Sequence, residues 1–158
     1  MIGDPDGFDW EPRFSPDGKS VVFLHGDFTK GVSEPWILDL ASGEQRPVSS
    51  TNDRELEHPD WSPDGAWIVY NTVGDTGENI ERMPTDDPDA TPEVLWDSGG
   101  PGGRHFAAKP AYSPDGKWIV FGRDGELCVV EADGTDVRAL FSAPNFEVNH
   151  IAWGITPS

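Results

Sequence analysis

The side chains with the clearest chemical potential recur at one matched position, three residues before an aromatic residue. Four residues occupy that position: Glu11, His58, Lys109 and His150. Imidazole and carboxylate groups that converge can bind a transition metal or a polar ligand. We predict these four residues as a ligand-binding site, with Glu11, His58 and His150 as the candidate metal ligands. Lys109 would oppose a cation, and the alternative is that all four simply interact with solvent.

A ten-residue motif with its own turn chemistry sets the position of these residues. "FSPDGKSVVF" at 14–23 returns as "WSPDGAWIVY" at 61–70 and as "YSPDGKWIVF" at 112–121. Proline presets the backbone for the second position of a type I turn, aspartate suits the third, and glycine then adopts a left-handed conformation. The β-branched and aromatic residues that follow are typical of strands. Each motif therefore predicts a β-hairpin with positive φ at its glycine: Gly18, Gly65 and Gly116.

The segments between the motifs also have the pattern of short strands. They predict three four-stranded units at about 8–50, 57–98 and 107–142, followed by a partial fourth unit at 147–158. The first residues of the motifs lie 47 and 51 residues apart, and no stretch shows the 3.6-residue apolar period of a helix. Four-stranded units that repeat at this spacing are typical of β-propeller blades. The sequence thus predicts an all-β chain, with residues 1–158 forming a single β-propeller-type domain.

The repeated segments carry a family resemblance. "EPRFSPDGKSVVF", "HPDWSPDGAWIVY" and "KPAYSPDGKWIVF" resemble the WD40-like repeat of TolB-type β-propellers, and the similarity covers about residues 8–158. The same repeat occurs in the propeller domains of prolyl-oligopeptidase-type peptidases. This resemblance implies the fold and is nearly silent about activity, because propellers host many unrelated functions. It also implies that the four matched residues begin the innermost strands and converge at one mouth of a central channel.

A second, fainter resemblance bears on the metal hypothesis. "HPDWSPDG" and "NHIAW" are similar to segments of the oligogalacturonate lyases, which are propellers that hold a metal with channel histidines. The resemblance implies a divalent-metal role for His58 and His150. This chain departs from that family in having about half the blades and a lysine among the matched residues.

The number of units predicts an assembly. A closed propeller usually has about four to eight blades, and three blades leave two open apolar faces. We expect Phe14 and Phe121 near those faces. Because two-fold dimers are the commonest closed assemblies, we predict a homodimer that closes a ring of about six blades, clasped by the strand around Ile151–Trp153. The alternatives are a fragment of a longer chain and an open form.

Charge and composition exclude some partners. The chain has 11 Lys and Arg against 29 Asp and Glu, a formal net charge of −18. This acidic protein repels nucleic-acid phosphates and anionic membrane surfaces, so we predict neither as a partner.

The single cysteine, Cys128, lies in an apolar run that predicts a buried, inert thiol. No secretory signal or run of about 18 apolar residues is found. We therefore expect a cytoplasmic location, or a periplasmic one if a signal was removed.

The function predicted from the sequence is binding. No Gly-x-Ser-x-Gly, His-Glu-x-x-His or phosphate-loop motif is present, so no catalytic residue is predicted. We predict a non-enzymatic β-propeller binding or scaffold protein, without a cofactor, that holds a protein or small ligand at its channel face. The alternative is a metal-dependent carbohydrate-active enzyme that uses the channel histidines.

Overall fold

The computed structural model describes residues 7–27, 30–50, 54–74, 77–99 and 107–142, together with Ile151 and Trp153. Within these residues the protein is all-β, with twelve strands and no helix. No helix long and apolar enough to cross a membrane is found among them. The strands form three antiparallel four-stranded units, in which consecutive strands are neighbours.

The units follow the repeat. Unit 1 contains four strands: β1 Phe8–Phe14, β2 Ser20–Asp27, β3 Val32–Asp39 and β4 Gln45–Pro47. Unit 2 contains the next four: β5 Glu55–Trp61, β6 Trp67–Val73, β7 Ile80–Pro84 and β8 Glu93–Trp96. Unit 3 contains the last four: β9 Ala107–Tyr112, β10 Trp118–Arg123, β11 Glu126–Glu131 and β12 Arg138–Ser142. A single parallel pair, Ser33 with Glu55, joins the sheets of units 1 and 2. In the described part of the chain, the sheets do not close on one another.

Two apolar cores lie between the units. In the first, three side chains of unit 1 meet five of unit 2: Val22, Ile37 and Val48 with Leu56, Trp61, Ile68, Tyr70 and Met83. In the second, three side chains of unit 2 meet five of unit 3: Val69, Ile80 and Leu95 with Tyr112, Ile119, Phe121, Cys128 and Val130. Unit 2 therefore contributes to both cores, one on each face of its sheet. This follows from the strand period of two, which sends alternate side chains to opposite faces.

The Ser-Pro-Asp-Gly turns are built identically in the three units. In the second unit, the Gly65 N–H donates to the Ser62 carbonyl, 2.9 Å away, and the Ser62 hydroxyl donates to Asp64 Oδ1 at 2.6 Å. Asp64 Oδ1 also accepts the Ala66 N–H, and Ser62 Oγ accepts the Trp67 N–H. The same four bonds recur in the turns at 15–20 and 113–118. Each turn thus fixes the start of the strand that follows it.

The three turn glycines have the backbone conformation predicted from the sequence. Their φ values are positive: +70° at Gly18, +75° at Gly65 and +71° at Gly116. Only glycine adopts this region without strain, so its place in the motif is a backbone requirement.

The exposure of the repeated aromatic residues shows where the stack of units is open. Trp61 and Tyr112 are buried between units, while Phe14, at the equivalent position of unit 1, is exposed. The expectation that Phe121 lies near an open face is wrong. Phe121 points back toward unit 2 and is fully buried in the second core.

Replacing Gly65 with valine tests the turn geometry. A Cβ at Gly65 would meet no heavy atom within 4 Å, so only backbone strain opposes the change. We expect Gly65→Val to lower the free energy of unfolding by about 1–3 kcal/mol, measured by urea denaturation. Gly74→Val is the matched control, because Gly74 has the same open surroundings without a positive φ. Equal losses in the two variants would contradict this account.

The charge of the turn aspartates predicts an acid-dependent stability. Hydrogen bonds from Ser62, and then from the Ala66 N–H, hold the pKa of Asp64 below its ordinary value of 3.8. The pKa of Asp64 is lower in the folded state than in the unfolded state. The charged carboxylate therefore contributes its full stabilisation at pH values above the unfolded-state pKa. That stabilisation is lost as the pH falls through the folded value.

The substitution Asp64→Asn isolates this charge while it retains an oxygen acceptor. We expect the variant to be less stable than the wild type at neutral pH, because hydrogen bonds to a charged acceptor are stronger. The difference should begin to shrink as the pH falls below about 4, the ordinary pKa of an unfolded aspartate, and should vanish once the pH is below the lower folded-state pKa, where the folded wild-type carboxyl takes up its proton. Unfolding curves recorded across this range provide the measurement. A difference that does not vary with pH would show that the charge has no role.

Candidate functional site

Three of the four predicted site residues line one cleft. Glu11 on β1, His58 on β5 and Lys109 on β9 come from the first strands of the three units, and the cleft between them has a volume of about 490 Å³. Arg13, Asp60 and Trp153 also line it. The fourth predicted residue, His150, lies outside the described residues. The structure therefore brings together side chains that are about 50 positions apart in the sequence.

A β-bulge positions each of the three side chains. In each first strand, a residue and the proline after it oppose one residue of the second strand, so the ladder loses its register there. Proline has no N–H to give to the ladder, which makes this the position where a bulge costs least. The opposed residues are the aromatic residues that end the three motifs: Phe23, Tyr70 and Phe121. Because bulges redirect side chains, the same distortion turns the variable residue of each unit toward the cleft.

The bulged residues have a strained backbone. Glu11 and His58 have φ of +53°, and Lys109 has φ of +59°, although none of them is glycine. A left-handed conformation of such residues costs on the order of 1–3 kcal/mol and persists only where the surroundings impose it. The following prolines, Pro12, Pro59 and Pro110, disfavour the right-handed helical alternative. Three units thus maintain the same strained geometry while the side chain that it presents changes from Glu to His to Lys.

A hydrogen-bonded pair joins units 1 and 2 within the cleft. His58 Nδ1 lies 2.8 Å from Glu11 Oε2. Burial alone would raise the pKa of Glu11, but the hydrogen bond and charge of His58 outweigh it and lower that pKa. Glu11 is therefore a carboxylate at neutral pH, and a carboxylate only accepts, so His58 Nδ1 donates. The other ring nitrogen, Nε2, lies 3.7 Å from Glu57 Oε2, a carboxyl whose pKa is raised by burial.

Asp60 is a residue of the cleft that sequence reasoning missed. Its Oδ2 accepts the Tyr112 N–H at 3.0 Å, so it joins unit 2 to the backbone of unit 3. Burial raises the pKa of Asp60 despite this bond. The equivalent residues of the other units are Arg13 and Ala111, so no repeat pattern marked this position. With Arg13 and Lys109 nearby, the cleft contains both signs of charge.

The described residues give no assembled metal site. Among them, no group of three His, Cys, Asp or Glu side chains is placed to hold a metal ion. Glu11 and His58, two of the predicted ligands, are bonded to each other. Cys128 is fully buried in the core between units 2 and 3, and burial raises the pKa of its thiol. It therefore has the environment of an inert side chain rather than of a metal ligand.

Trp153 reproduces a contact that joins two units elsewhere. Its indole N–H donates to the Ala111 carbonyl at 3.1 Å, as the Trp61 indole N–H donates to the Arg13 carbonyl at 3.1 Å. Arg13 and Ala111 are equivalent in the repeat, each preceding the first aromatic of a motif. Trp153 therefore has the same relation to unit 3 that Trp61 has to unit 1.

Comparison with known proteins places these units among the propellers. No protein-family model matches the chain. Dipeptidyl-peptidase 5 of Porphyromonas gingivalis is 29% identical over 77 residues, which cover 47% of this chain and 11% of that protein. The uncharacterized peptidase YuxL of Bacillus subtilis is 26% identical over 140 residues, covering 70% of this chain and 21% of YuxL. The chain thus spans only a small part of these curated relatives.

The solved structures match more of the chain. A TolB-type protein from Agrobacterium tumefaciens superimposes with a TM-score of 0.71 at 25% identity, over 89% of this chain and 50% of that one. TolB from Acinetobacter baumannii has a TM-score of 0.68 at 20% identity, over 89% of this chain and 34% of that one. Together with the repeated antiparallel units, these matches identify the chain as a TolB-like β-propeller protein in its fold.

Proposed function

We propose that this protein is a non-enzymatic binding or scaffold module that holds a protein or small ligand in the cleft between its units. The observation that carries the proposal is the set of three equivalent strained bulges, at Glu11, His58 and Lys109, that face one cleft. Strain of this kind persists where the surrounding structure imposes it, and it clusters at functional sites. A constant backbone that presents three different polar side chains is suited to recognition, because the frame is rigid and the contacts vary.

The cleft lining favours binding over catalysis. The described residues around it include no Ser, Thr or Cys, so they provide no hydroxyl or thiol nucleophile. His58 is in contact with two carboxyl groups, of which Glu11 accepts its Nδ1 proton. Opposite charges at Lys109 and Asp60 suit a ligand that has donors and acceptors, such as a polar peptide segment. Two of the curated relatives are peptidases by name, but the chain covers only 11% and 21% of them.

Affinity capture with matched variants tests this proposal. Immobilised wild-type protein is compared with His58→Ala and Lys109→Glu, and with Lys117→Glu as the control. Lys117 is in the same unit as Lys109 but is an exposed residue of the turn after β9. Retained proteins are identified by mass spectrometry and their affinities measured by calorimetry. We expect a partner that binds the wild type and Lys117→Glu equally, and both cleft variants about tenfold or more weakly.

Two results would overturn the proposal. One is a partner whose affinity does not change in either cleft variant, since recognition would then lie elsewhere. The other is turnover, which the metal-dependent alternative predicts. Protein supplied with Mn²⁺ would cleave an oligogalacturonate, and His58→Ala would abolish the cleavage.

A further inference from the structure

An asparagine side chain at the joint between units 2 and 3 is buried without a partner. Asn71 on β6 is 1% exposed, and neither its amide oxygen nor its amide nitrogen has a hydrogen-bond partner among the described residues. Asn71 lies two residues after Val69 of the second core, so its side chain is on the face of unit 2 that meets unit 3. Buried amides that make no hydrogen bond are rare in folded proteins, so this one requires an explanation.

The carboxyl group of Glu57 lies beside this amide. Glu57 on β5 is directly opposite Asn71 in the ladder, so the two side chains are on the same face of the sheet. Burial raises the pKa of Glu57, the charge of His58 opposes that effect, and the Asn71 amide has only a small lowering effect. The amide is therefore near the carboxyl group but outside ordinary hydrogen-bonding geometry.

The equivalent positions of the other units show that the stack does not need a polar pair here. In unit 1 the pair is Trp10 opposite Leu24, and Leu24 is fully buried. In unit 3 the pair is Ala108 opposite Gly122. Apolar residues are thus compatible with the fold at this position, whereas a buried, unpaired amide lowers stability. A local feature that lowers stability without a structural need is typical of a functional site.

His58 connects this polar pair to the cleft. His58 Nε2 lies 3.7 Å from Glu57 Oε2, which is too long for a hydrogen bond. His58 Nδ1 donates to Glu11, so Nε2 of the neutral ring is an acceptor. The side chains of His58 and Glu57 are 24% and 36% exposed, so a ligand can reach both of them. A donor nitrogen can lie about 2.9 Å from the two acceptor atoms at once.

We propose that Glu57 and His58 bind the guanidinium or ammonium group of a basic peptide side chain, with Asn71 as the residue that positions the Glu57 carboxylate. This inference rests on the proposed function, because the remainder of the peptide occupies the cleft. The Glu57 carboxylate and His58 Nε2 are both acceptors, so they suit a cation that is rich in N–H donors. The net charge of −18 also attracts a basic ligand.

Asn71 acts through Glu57 rather than on the ligand. Its amide atoms are buried, so the ligand contacts the more exposed Glu57 carboxylate. A cation binds the charged form of Glu57, and the Asn71 amide N–H can then donate to that carboxylate. The amide is therefore unpaired in the free protein and paired in the complex.

The cations of the cleft set the direction of the peptide. Arg13 and Lys109 line the cleft, and both repel a basic group. The basic side chain is therefore directed to Glu57, while the carbonyl groups of the peptide lie toward Lys109.

Titration with short peptides, followed by NMR spectroscopy, tests the proposal. The probes are acetyl-Gly-Arg-Gly-amide, its lysine analogue and its citrulline analogue, which keeps the shape of arginine without the charge. We expect the arginine and lysine peptides to shift the side-chain amide signals of Asn71 and the ring nitrogen signals of His58. The citrulline peptide should bind about tenfold or more weakly.

Two results of this titration would overturn the proposal. One is the absence of any shift with the basic peptides, which would mean that Asn71 holds an ordered water only. The other is equal binding of the citrulline and arginine peptides, since the cationic charge would then have no role.

Three variants locate the contact. Glu57→Gln removes the charge and keeps the shape, Asn71→Leu copies Leu24 of unit 1, and Glu44→Gln is the control. Glu44 is exposed in the loop between β3 and β4, so its variant removes the same charge away from the cleft. We expect Glu57→Gln to bind the arginine peptide about tenfold or more weakly than the wild type, and Glu44→Gln to bind it within about twofold. A smaller loss in Glu57→Gln than in the control would contradict the assignment.

Asn71→Leu separates a positioning role from a structural one. Loss of the unpaired amide should raise the midpoint of urea unfolding, while affinity for the arginine peptide falls severalfold. A loss of both stability and affinity would show that Asn71 is only structural. Circular dichroism of every variant confirms that a change in affinity is not a loss of fold.

Proton release gives a second measure of the Glu57 contact. Since burial raises the pKa of Glu57 above 4.5, binding of a cation just above pH 4.5 should displace its proton, and affinity should rise with pH. Glu11, Glu55 and His58 face the same carboxyl group, so the wild type is compared with Glu57→Gln. Calorimetry in two buffers of different protonation enthalpy measures the release. We expect it in the wild type and not in Glu57→Gln, and equal release in both would contradict the proposal.

Failure of this inference is distinguishable from failure of the proposed function. A captured partner that binds more weakly to His58→Ala and Lys109→Glu, but not to Glu57→Gln, would leave the cleft as the binding site and overturn the basic-group assignment. A partner that is insensitive to all three variants would overturn both.

Discussion

The packing of one unit on the next is the interaction on which the rest of this structure depends. A four-stranded sheet of about 40 residues cannot bury its apolar face alone, and a repeat architecture solves this by stacking. Here the two inter-unit cores contain the buried aromatic residues Trp61, Tyr70, Tyr112 and Phe121. Hydrogen bonds between side chains and backbone of neighbouring units supplement them: the Trp61 indole N–H donates to the Arg13 carbonyl, and the Tyr112 N–H donates to the Asp60 carboxylate. Unit 2 is covered on both faces, so it holds units 1 and 3 together through the two cores.

The turns and the bulges have different structural roles within each unit. The Ser-Pro-Asp-Gly turn fixes the register between the first and second strands, because its serine and aspartate bind the backbone N–H groups on the far side. With that register fixed, two residues of the first strand lie opposite one residue of the second strand, and the second of the two is Pro12, Pro59 or Pro110. The extra residue forms a bulge. The bulge faces the aromatic residue that ends the motif, which is buried and cannot move to accommodate a different backbone. The left-handed φ values in the cleft thus follow from contacts made by the core.

Much of this arrangement could be predicted from the sequence because repetition makes local chemistry visible three times. The turn motif predicted the hairpins and the positive φ of Gly18, Gly65 and Gly116. Equivalence within the repeat predicted that Glu11, His58 and Lys109 meet. The bulges were not predicted from the sequence, because the pattern of one strand does not show that it has one residue more than its partner strand. The signal was the proline that follows each of these three residues.

Other contacts could not be predicted because they depend on differences between units. Asp60 binds the next unit through its carboxylate, whereas its equivalents Arg13 and Ala111 have no carboxylate and contact the following residues through their backbone carbonyls, so the repeat hides the role of Asp60. The burial of Phe121 was misjudged because a strand has two faces, and the sequence does not say which one meets the preceding unit. The bond between His58 and Glu11 required the distance between two units, which is set by the side chains of the core rather than by the motif.

The cleft and the stack are thermodynamically linked. Glu11, His58 and Lys109 come from three different units, so the site exists only while both inter-unit cores are formed. A ligand that contacts all three residues binds the stacked state and not the separated one, and it therefore stabilises the cores by mass action. The reverse also holds, since any contact that secures units 1 and 3 against their neighbours raises the population of the binding-competent cleft.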